Sequence, residues 1–369
     1  MKFDLLWKRP LRALLLSLLA CNAADAADRQ PIHALYIPLA DHYAALVAYE
    51  RYRHDFKHAD FRIEQMKNWD LLRAYFRSGR ADMAYVMSPL ALDMYREKPN
   101  FRWVGLMHRD GNGLAVTPTM AREMQLADNR MVRKPNQTIA TTMKAMSERS
   151  GRPLRVGVPH VLSTHTVVLY NFLKKHDVDI SLAPNMPGDV LVIPVAPAKA
   201  PSYILGAQNS NKYVAIEQSL PWVDQVEKQH FGEVAWYSKD VMAWPGGHVE
   251  CIAIATDKAM AEKREALQEV MAAIQQAGED IERARNEGGA ALDEIVKTVR
   301  KHIPAHTPEA IISSLDPRLR IINYQNLGVD KEGMHQIMNL GVEAGVLKQA
   351  VDLDEFADDL LVTPEAETP

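Results

Sequence analysis

The chain has 369 residues, too many for one ordinary core, so two lobes or domains with ample apolar burial are expected. Hydrophobic residues make up 47% and charged residues 24%, with 18 Gly and 21 Pro, which excludes collagen, coiled coil and wholesale disorder. A formal net charge of −4, with no basic run interleaved with aromatics, argues against a nucleic-acid partner.

The first 27 residues read as an export signal. Lys2, Lys8, Arg9 and Arg12 give a basic start, Ala13 to Ala20 is a small and apolar run, and either Cys21 or Ala24-Asp25-Ala26 closes it. That run is too short to span a bilayer of about 30 Å as a helix. Leu18-Leu19-Ala20-Cys21 resembles a bacterial lipobox, whose Cys is lipidated, and cleavage after Ala26 is the alternative. Either processing route predicts a periplasmic protein, touching the membrane only through lipid or a partner. Without these residues 39 basic side chains face 45 acidic ones, a net charge of about −6. Cys251 then has no disulfide partner within the chain.

Ile32 to Ile37 predicts a strand stopped by Pro38, after which Asp41 can cap a helix from His42 to about Phe56. Phe61 to Met66 predicts a second strand. Asn68 caps a helix carrying Trp69, Leu72, Tyr75 and Phe76 and ending at Ser78-Gly79. A third strand, Asp82 to Met87, leads to the cap and first-turn proline Ser88-Pro89, and Phe101 to Met107 predicts a fourth strand. This alternation predicts a parallel α/β sheet. A second α/β lobe is expected from near Thr117, with a helix ending at Gly151, a strand at Leu154 to Val158 and a helix capped by Ser163-Thr164. Strands at Val190 to Pro194 and Tyr213 to Ile216 follow, and the apolar run Val249 to Ala255 predicts a buried parallel strand returning to the first lobe. Beyond it the pattern is helical, and the tail from Thr363 reads as disordered.

The division expected is 28–116 with 246–369 as lobe 1 and 117–245 as lobe 2. Hinges are expected at Ala115-Val116-Thr117 and Ala243-Trp244-Pro245. The cleft between the lobes is where helix N-termini, with free N–H groups and a positive dipole end, would meet a ligand.

Several segments carry a family resemblance. They are His42-Tyr43 with Ala48-Tyr49-Glu50, Asn68-Trp69, Ser78 to Ala84, Gly111-Asn112-Gly113, Ser163-Thr164-His165, Pro197 to Pro201, Leu220-Pro221-Trp222 and Ser238 to Cys251. In this order and spacing the chain resembles the solute-binding proteins of bacterial ABC importers for nitrate, bicarbonate, taurine and sulfonates, a superfamily that includes thiamine-precursor receptors. The resemblance implies a two-lobed α/β, type II periplasmic-binding-protein fold and a monomer delivering a small anion to a membrane permease, with no cofactor and no metal. His42, Trp69, Ser88, Asn112, Gly113, Ser163, Thr164 and His165 are the expected ligand-binding residues. Departures bear on the ligand. Leu220 stands where the family has Glu, Lys199 and Ala200 replace Gln and Met, and Tyr170 stands where an Arg often follows. The loss of an acid at 220 disfavours a zwitterion such as taurine.

Each candidate also has a structural role open to it. Ser163 and Thr164 suit plain caps, Trp69 a core anchor and Asn112 a turn. The pairs within His54-Asp55-His58, His160/His165 and His302/His306 fall short of a zinc set, and Cys251 reads as a small core residue. No Gly-x-Ser-x-Gly, His-Glu-x-x-His or Walker signature is found, which does not by itself exclude an enzyme, and the resemblance implies a binding protein rather than an enzyme. One intracellular eukaryotic branch of the superfamily is a thiamine-forming enzyme, which the export signal disfavours. Met87, Met107, Met186, Val195 and Leu220, expected near the cleft, keep open a receptor for a larger or more apolar ligand serving a sensor or another transport system.

Overall fold

The computed structural model describes residues 29–210 and 212–361. The expected export signal, with Cys21, lies outside them. In chain order the strands are β1 (Gln30–Tyr36), β2 (Ala59–Gln65), β3 (Met83–Met87), β4 (Phe101–Leu106), β5 (Arg109–Asp110), β6 (Asn112–Val116) and β7 (Leu154–Val158). They continue as β8 (Ile180–Ser181), β9 (Val190–Pro194), β10 (Ala215–Ser219), β11 (Glu233–Tyr237), β12 (Cys251–Thr256) and β13 (Ile322–Asn323).

These strands form a five-stranded sheet, β2-β1-β3-β12-β4, a six-stranded sheet, β11-β6-β10-β7-β9-β8, and the small pair β13-β5. The architecture is two-lobed α/β, one lobe around each large sheet. Neither sheet is wholly parallel, contrary to expectation. β12 runs antiparallel to both β3 and β4, and β6 antiparallel to β10 and β11. An apolar run such as Cys251 to Ala255 reports burial on both faces but says nothing of direction.

The expected first crossing also shifts. Asn112 to Val116 is a strand of the second sheet, with Val116 opposite Ala215 and Glu233, so the chain leaves the first sheet across 107–111 and not at Ala115-Val116-Thr117. Ala243, Trp244 and Pro245 do lie between the sheets, after β11 and before β12. Residues beyond β12 are not confined to one lobe. The Arg264–Glu287 helix packs on the Tyr43–Arg51 helix, the Pro308–Ser314 helix on Trp222–Lys228, and the Lys331–Glu343 helix on both Ser88–Glu97 and Thr164–Lys174. Ser314 Oγ donates to Asp224 Oδ2 at 3.2 Å and Arg130 Nη2 to the Ser313 carbonyl at 3.1 Å, so the C-terminal helices strap the second lobe to the first.

Local signals were obeyed where they were purely local. Asn68 Oδ1 accepts from the Leu71 N–H at 2.8 Å, Ser163 Oγ accepts from the Thr166 N–H at 3.2 Å, and Gly151 takes the left-handed φ of 65° that ends its helix. Asp41 is an exception. It sits in a single 3₁₀ turn, Ala40–His42, and caps nothing.

Close packing makes one glycine decisive. A Cβ on Gly278, inside the Arg264–Glu287 helix, would stand 2.6 Å from the Tyr324 carbonyl oxygen. Helix propensity alone would favour Gly278→Ala by about 1 kcal/mol. The contact is with backbone, which must move, at a cost of about 1–3 kcal/mol. Gly278→Ala should therefore lower the urea midpoint, and a raised midpoint would show that the Tyr324 segment yields freely.

Candidate functional site

Strand ends of both sheets meet in a polar centre between the lobes. The turn after β1 brings Asp41 and His42, the start of the helix after β3 brings Ser88, and the segment between β4 and β5 brings His108. From the other side come Asn112 on β6, the N-terminus of the Thr164–Lys174 helix after β7, and Glu217 and Ser219 on β10. Glu217 and Ser219 share one face of the sheet by the two-residue period, and Ser219 stands opposite Asn112 in the antiparallel register. The return segment adds His248, Glu250 and Cys251. Every one of these side chains is fully buried, and Trp69 is nearly so.

A chain of contacts crosses from lobe to lobe. Ser88 Oγ lies 3.4 Å from Thr164 Oγ1. His165 Nε2 is 2.9 Å from Ser219 Oγ, which donates to Asp41 Oδ2 at 3.0 Å. On the far side of the ring, His165 Nδ1 lies 3.4 Å from Glu250 Oε1. His108 Nε2 stands 3.2 Å from Glu250 Oε2 and 3.6 Å from Asp41 Oδ2, and the Cys251 thiol donates to Asp41 Oδ2 at 3.6 Å.

Burial governs the proton affinities here. His42 and His165 are pushed down to about 4, chiefly by desolvation, so both are neutral at pH 7. Burial would lower His108 as well, but the facing Asp41 and Glu250 carboxylates outweigh it and raise it to about 10. For Glu250, burial is opposed and overcome by the facing His108 ring at 3.2 Å and the charges of His165 and His108, which hold it below the usual range. Glu217 is driven well above that range by burial and by Glu250 and Asp41. The Cys251 thiol is raised for the same three reasons, which favours the protonated thiol over the nucleophilic thiolate.

Several buried polar atoms in this centre have no protein hydrogen-bond partner: His42 Nε2, Trp69 Nε1, both amide atoms of Asn112, His165 Nδ1 and both oxygens of Glu217 among them. Buried polar groups are ordinarily paired, so a cluster of unpaired ones makes this centre the candidate ligand site. Of the residues expected from sequence, His42 and Trp69 lie edge to face with ring centroids 6.3 Å apart, and Ser88 joins Thr164 across the lobes. Ser163 is occupied as a cap. Gly113 lies on a strand and not in a loop, within the ladder between Gln218 and Tyr237, where a Cβ would meet the Trp236 carbonyl at 3.1 Å.

Sequence reasoning missed Asp41, taken for a cap, and His108, Glu217, Ser219, His248 and Glu250. Glu217 carried a signal of its own, an acid in the strand Ala215–Ser219 after two apolar residues. Met186 is 47% exposed and lies away from the centre, whereas Met87, Met107 and Leu220 are buried. Leu220 acts through its backbone, its N–H donating to the Gly111 carbonyl and its carbonyl accepting from Ala40. Other histidines of the expected pairs have partners outside this centre. His302 meets Glu50 at 2.8 Å, His160 accepts from the Leu162 N–H at 2.9 Å, and exposed His58 faces Glu265.

Residues 25–293 match the sequence profile of the NMT1-like family. The chain belongs to the NMT1-like family. The matched stretch contains both large sheets and every site residue named above, so the NMT1-like region comprises the whole polar centre. No curated protein matches the chain in sequence. Among solved structures, the ligand-binding component of an ABC-type import system from Staphylococcus aureus, solved with zinc bound, superposes at TM-score 0.68 with 18% identity over 90% of this chain and 97% of that one. The periplasmic nitrate-binding protein NrtA from Synechocystis PCC 6803 gives TM-score 0.69 and 16% identity over 87% and 83%. The desulfurization enzyme DSZB gives 0.55 and 11% over 90% and 97%. At such identities the likeness shows that this NMT1-like chain has the periplasmic-binding-protein fold. Among the described residues no helix is long and apolar enough to cross a membrane.

Proposed function

We propose that this protein is an extracytoplasmic solute receptor that closes its two lobes on a small molecule and delivers it to the permease of an ABC importer, without turning it over. The observation that carries this reading is the sealed polar centre between the sheets, in which donors on Trp69 and Asn112 and acceptors on Glu217 and Asn112 all lack partners. A sealed site of this polarity disfavours the larger, apolar ligand.

The charge of the centre narrows the ligand. Asp41 and Glu250 share one imidazolium, His108, which leaves one negative charge before Glu217 is counted. Two like charges 4 Å apart repel by about 4 kcal/mol at an effective dielectric constant of 20. A bare nitrate or sulfonate, the solute expected from sequence, would meet that repulsion. The acid missing at Leu220 is supplied three residues upstream by Glu217, so a zwitterion or a protonated nitrogen base fits better. Its positive or N–H-bearing part would face Glu217, and its acceptor end would face the Trp69 indole and the Asn112 amide.

Native mass spectrometry of the protein isolated from its own periplasm should show such a solute trapped. In calorimetry, Trp69→Ala and His165→Ala should each weaken that solute by about 1.5–3 kcal/mol, roughly ten- to a hundredfold. Tight binding of nitrate alone, with affinity untouched in both variants, would overturn this reading.

A further inference from the structure

We propose that Asp41, His108, Glu250 and Cys251 form a site for one divalent transition-metal ion of the zinc class. This goes beyond the solute reading and does not rest on it, since the four side chains form a cluster of their own beside Glu217, Trp69 and Asn112.

The four prospective ligand atoms all lie within 4.8 Å of one another, and all four residues are fully buried. Zinc holds nitrogen and oxygen at about 2.0–2.2 Å and sulfur at about 2.3 Å in a tetrahedron, so neighbouring ligand atoms stand about 3.3–3.7 Å apart. The separations found are 3.2 Å for His108 to Glu250, 3.6 Å for His108 to Asp41 and 3.6 Å for Cys251 to Asp41. Three edges of a tetrahedron are thus already in place without an ion.

A second observation points the same way. Both His108 nitrogens, both Glu250 oxygens and Asp41 Oδ1 are buried with no hydrogen-bond partner. A carboxylate pair kept only for an ion pair with His108 would gain nothing from a thiol beside it. A thiol, an imidazole and two carboxylates are instead a mixed donor set that a borderline-soft ion satisfies. Ser219 supports one ligand from behind, its hydroxyl holding Asp41 Oδ2 at 3.0 Å while His165 holds Ser219 at 2.9 Å.

Coordination replaces protons. The Cys251 S–H proton and the Nε2 proton of His108 pass to solvent as sulfur and nitrogen bind the ion. Two carboxylates, a thiolate and a divalent ion leave one negative charge, as do two carboxylates and an imidazolium. The preference for a positively charged solute is therefore the same with or without the metal.

The test uses the purified protein stripped by chelator and then titrated with zinc or cobalt(II). One equivalent of zinc per chain is expected, and cobalt should give a tetrahedral visible spectrum with a thiolate-to-metal absorption in the near ultraviolet. Cys251→Ser, close in volume, should fold normally by circular dichroism, lose the thiolate band and bind zinc at least tenfold more weakly. Ser219→Ala should weaken zinc about tenfold through Asp41 alone. His108→Gln should abolish binding, and if it fails to fold, the Cys251→Ser spectrum still decides. No stoichiometric zinc uptake by wild type, or a cobalt spectrum without the thiolate band, would overturn the site and leave His108 as an imidazolium between two carboxylates. Solute binding measured on the metal-free protein separates the two readings. If it is retained while zinc uptake fails, only the metal site falls.

Discussion

Glu217→Gln is expected to make the ligand-free protein more stable and at the same time nearly abolish solute binding. Glu217 is fully buried, with no partner for either oxygen, and burial together with Glu250 and Asp41 raises its proton affinity well above the ordinary 4.5. The folded protein therefore keeps the proton that the unfolded chain releases near pH 4.5. Below that pH the group costs nothing, and above it folding stability falls by about 1.4 kcal/mol per pH unit until the folded carboxyl itself ionises. Gln has nearly the same shape and does not titrate, so the cost is relieved. Urea unfolding of the two proteins should differ little near pH 4.5 and increasingly in favour of the variant as pH rises above it.

Binding should move in the opposite direction. A positively charged solute gains from Glu217 only by ionising it, so the wild type should release a proton on binding. That release makes the calorimetric heat depend on the ionisation heat of the buffer. Glu217→Gln should lose this dependence together with about 3 kcal/mol, or a hundredfold, of affinity. Identical pH dependence of stability in the two proteins, or unchanged affinity, would remove Glu217 from the site.

Acid should unfold the protein through His306. This side chain lies within hydrogen-bond distance of the Tyr43 hydroxyl through Nδ1 at 2.8 Å and of the Pro38 carbonyl through Nε2 at 3.2 Å, and its ring meets Trp222 edge-on at 4.8 Å. Burial pushes its proton affinity down to about 3 from the ordinary 6.5. Because the folded value is depressed, stability is fully present above about pH 6.5. It is lost as pH falls toward 3, at about 1.4 kcal/mol per unit and roughly 4–5 kcal/mol in total. Trp222 belongs to the second lobe and Tyr43 to the first, so protonation loosens a junction between them. His306→Gln should be less stable than wild type at pH 7, where the packing and hydrogen bonds matter most, and should show a flatter decline between pH 6 and 3. Parallel acid-denaturation curves would show that another group carries the acid sensitivity.

The parts of this protein legible in sequence are those decided within a few residues. The caps at Asn68 and Ser163 and the left-handed stop at Gly151 follow from the side chain and its next three or four neighbours, and the structure keeps them. The strands and helices follow from the period of their apolar residues, and the resemblance in order and spacing led to the NMT1-like family and its two-lobed fold.

What the sequence left open is set by partners far away in the chain. The direction of β12 and the membership of β6 depend on which strand lies alongside, and an apolar run is the same whether its neighbour is parallel or antiparallel. Asp41 looked like a cap because an acid before an apolar helical pattern is one. Its true partners are Ser219 and Cys251, 178 and 210 residues away. Glu217 and Glu250 each look like an isolated acid in a strand or a loop, and only the packing of one lobe against the other buries them together with His108 and His165. The charge of this polar centre is a property of that convergence. Coulomb interactions act through space at a few ångströms, and distance along the chain gives no measure of them.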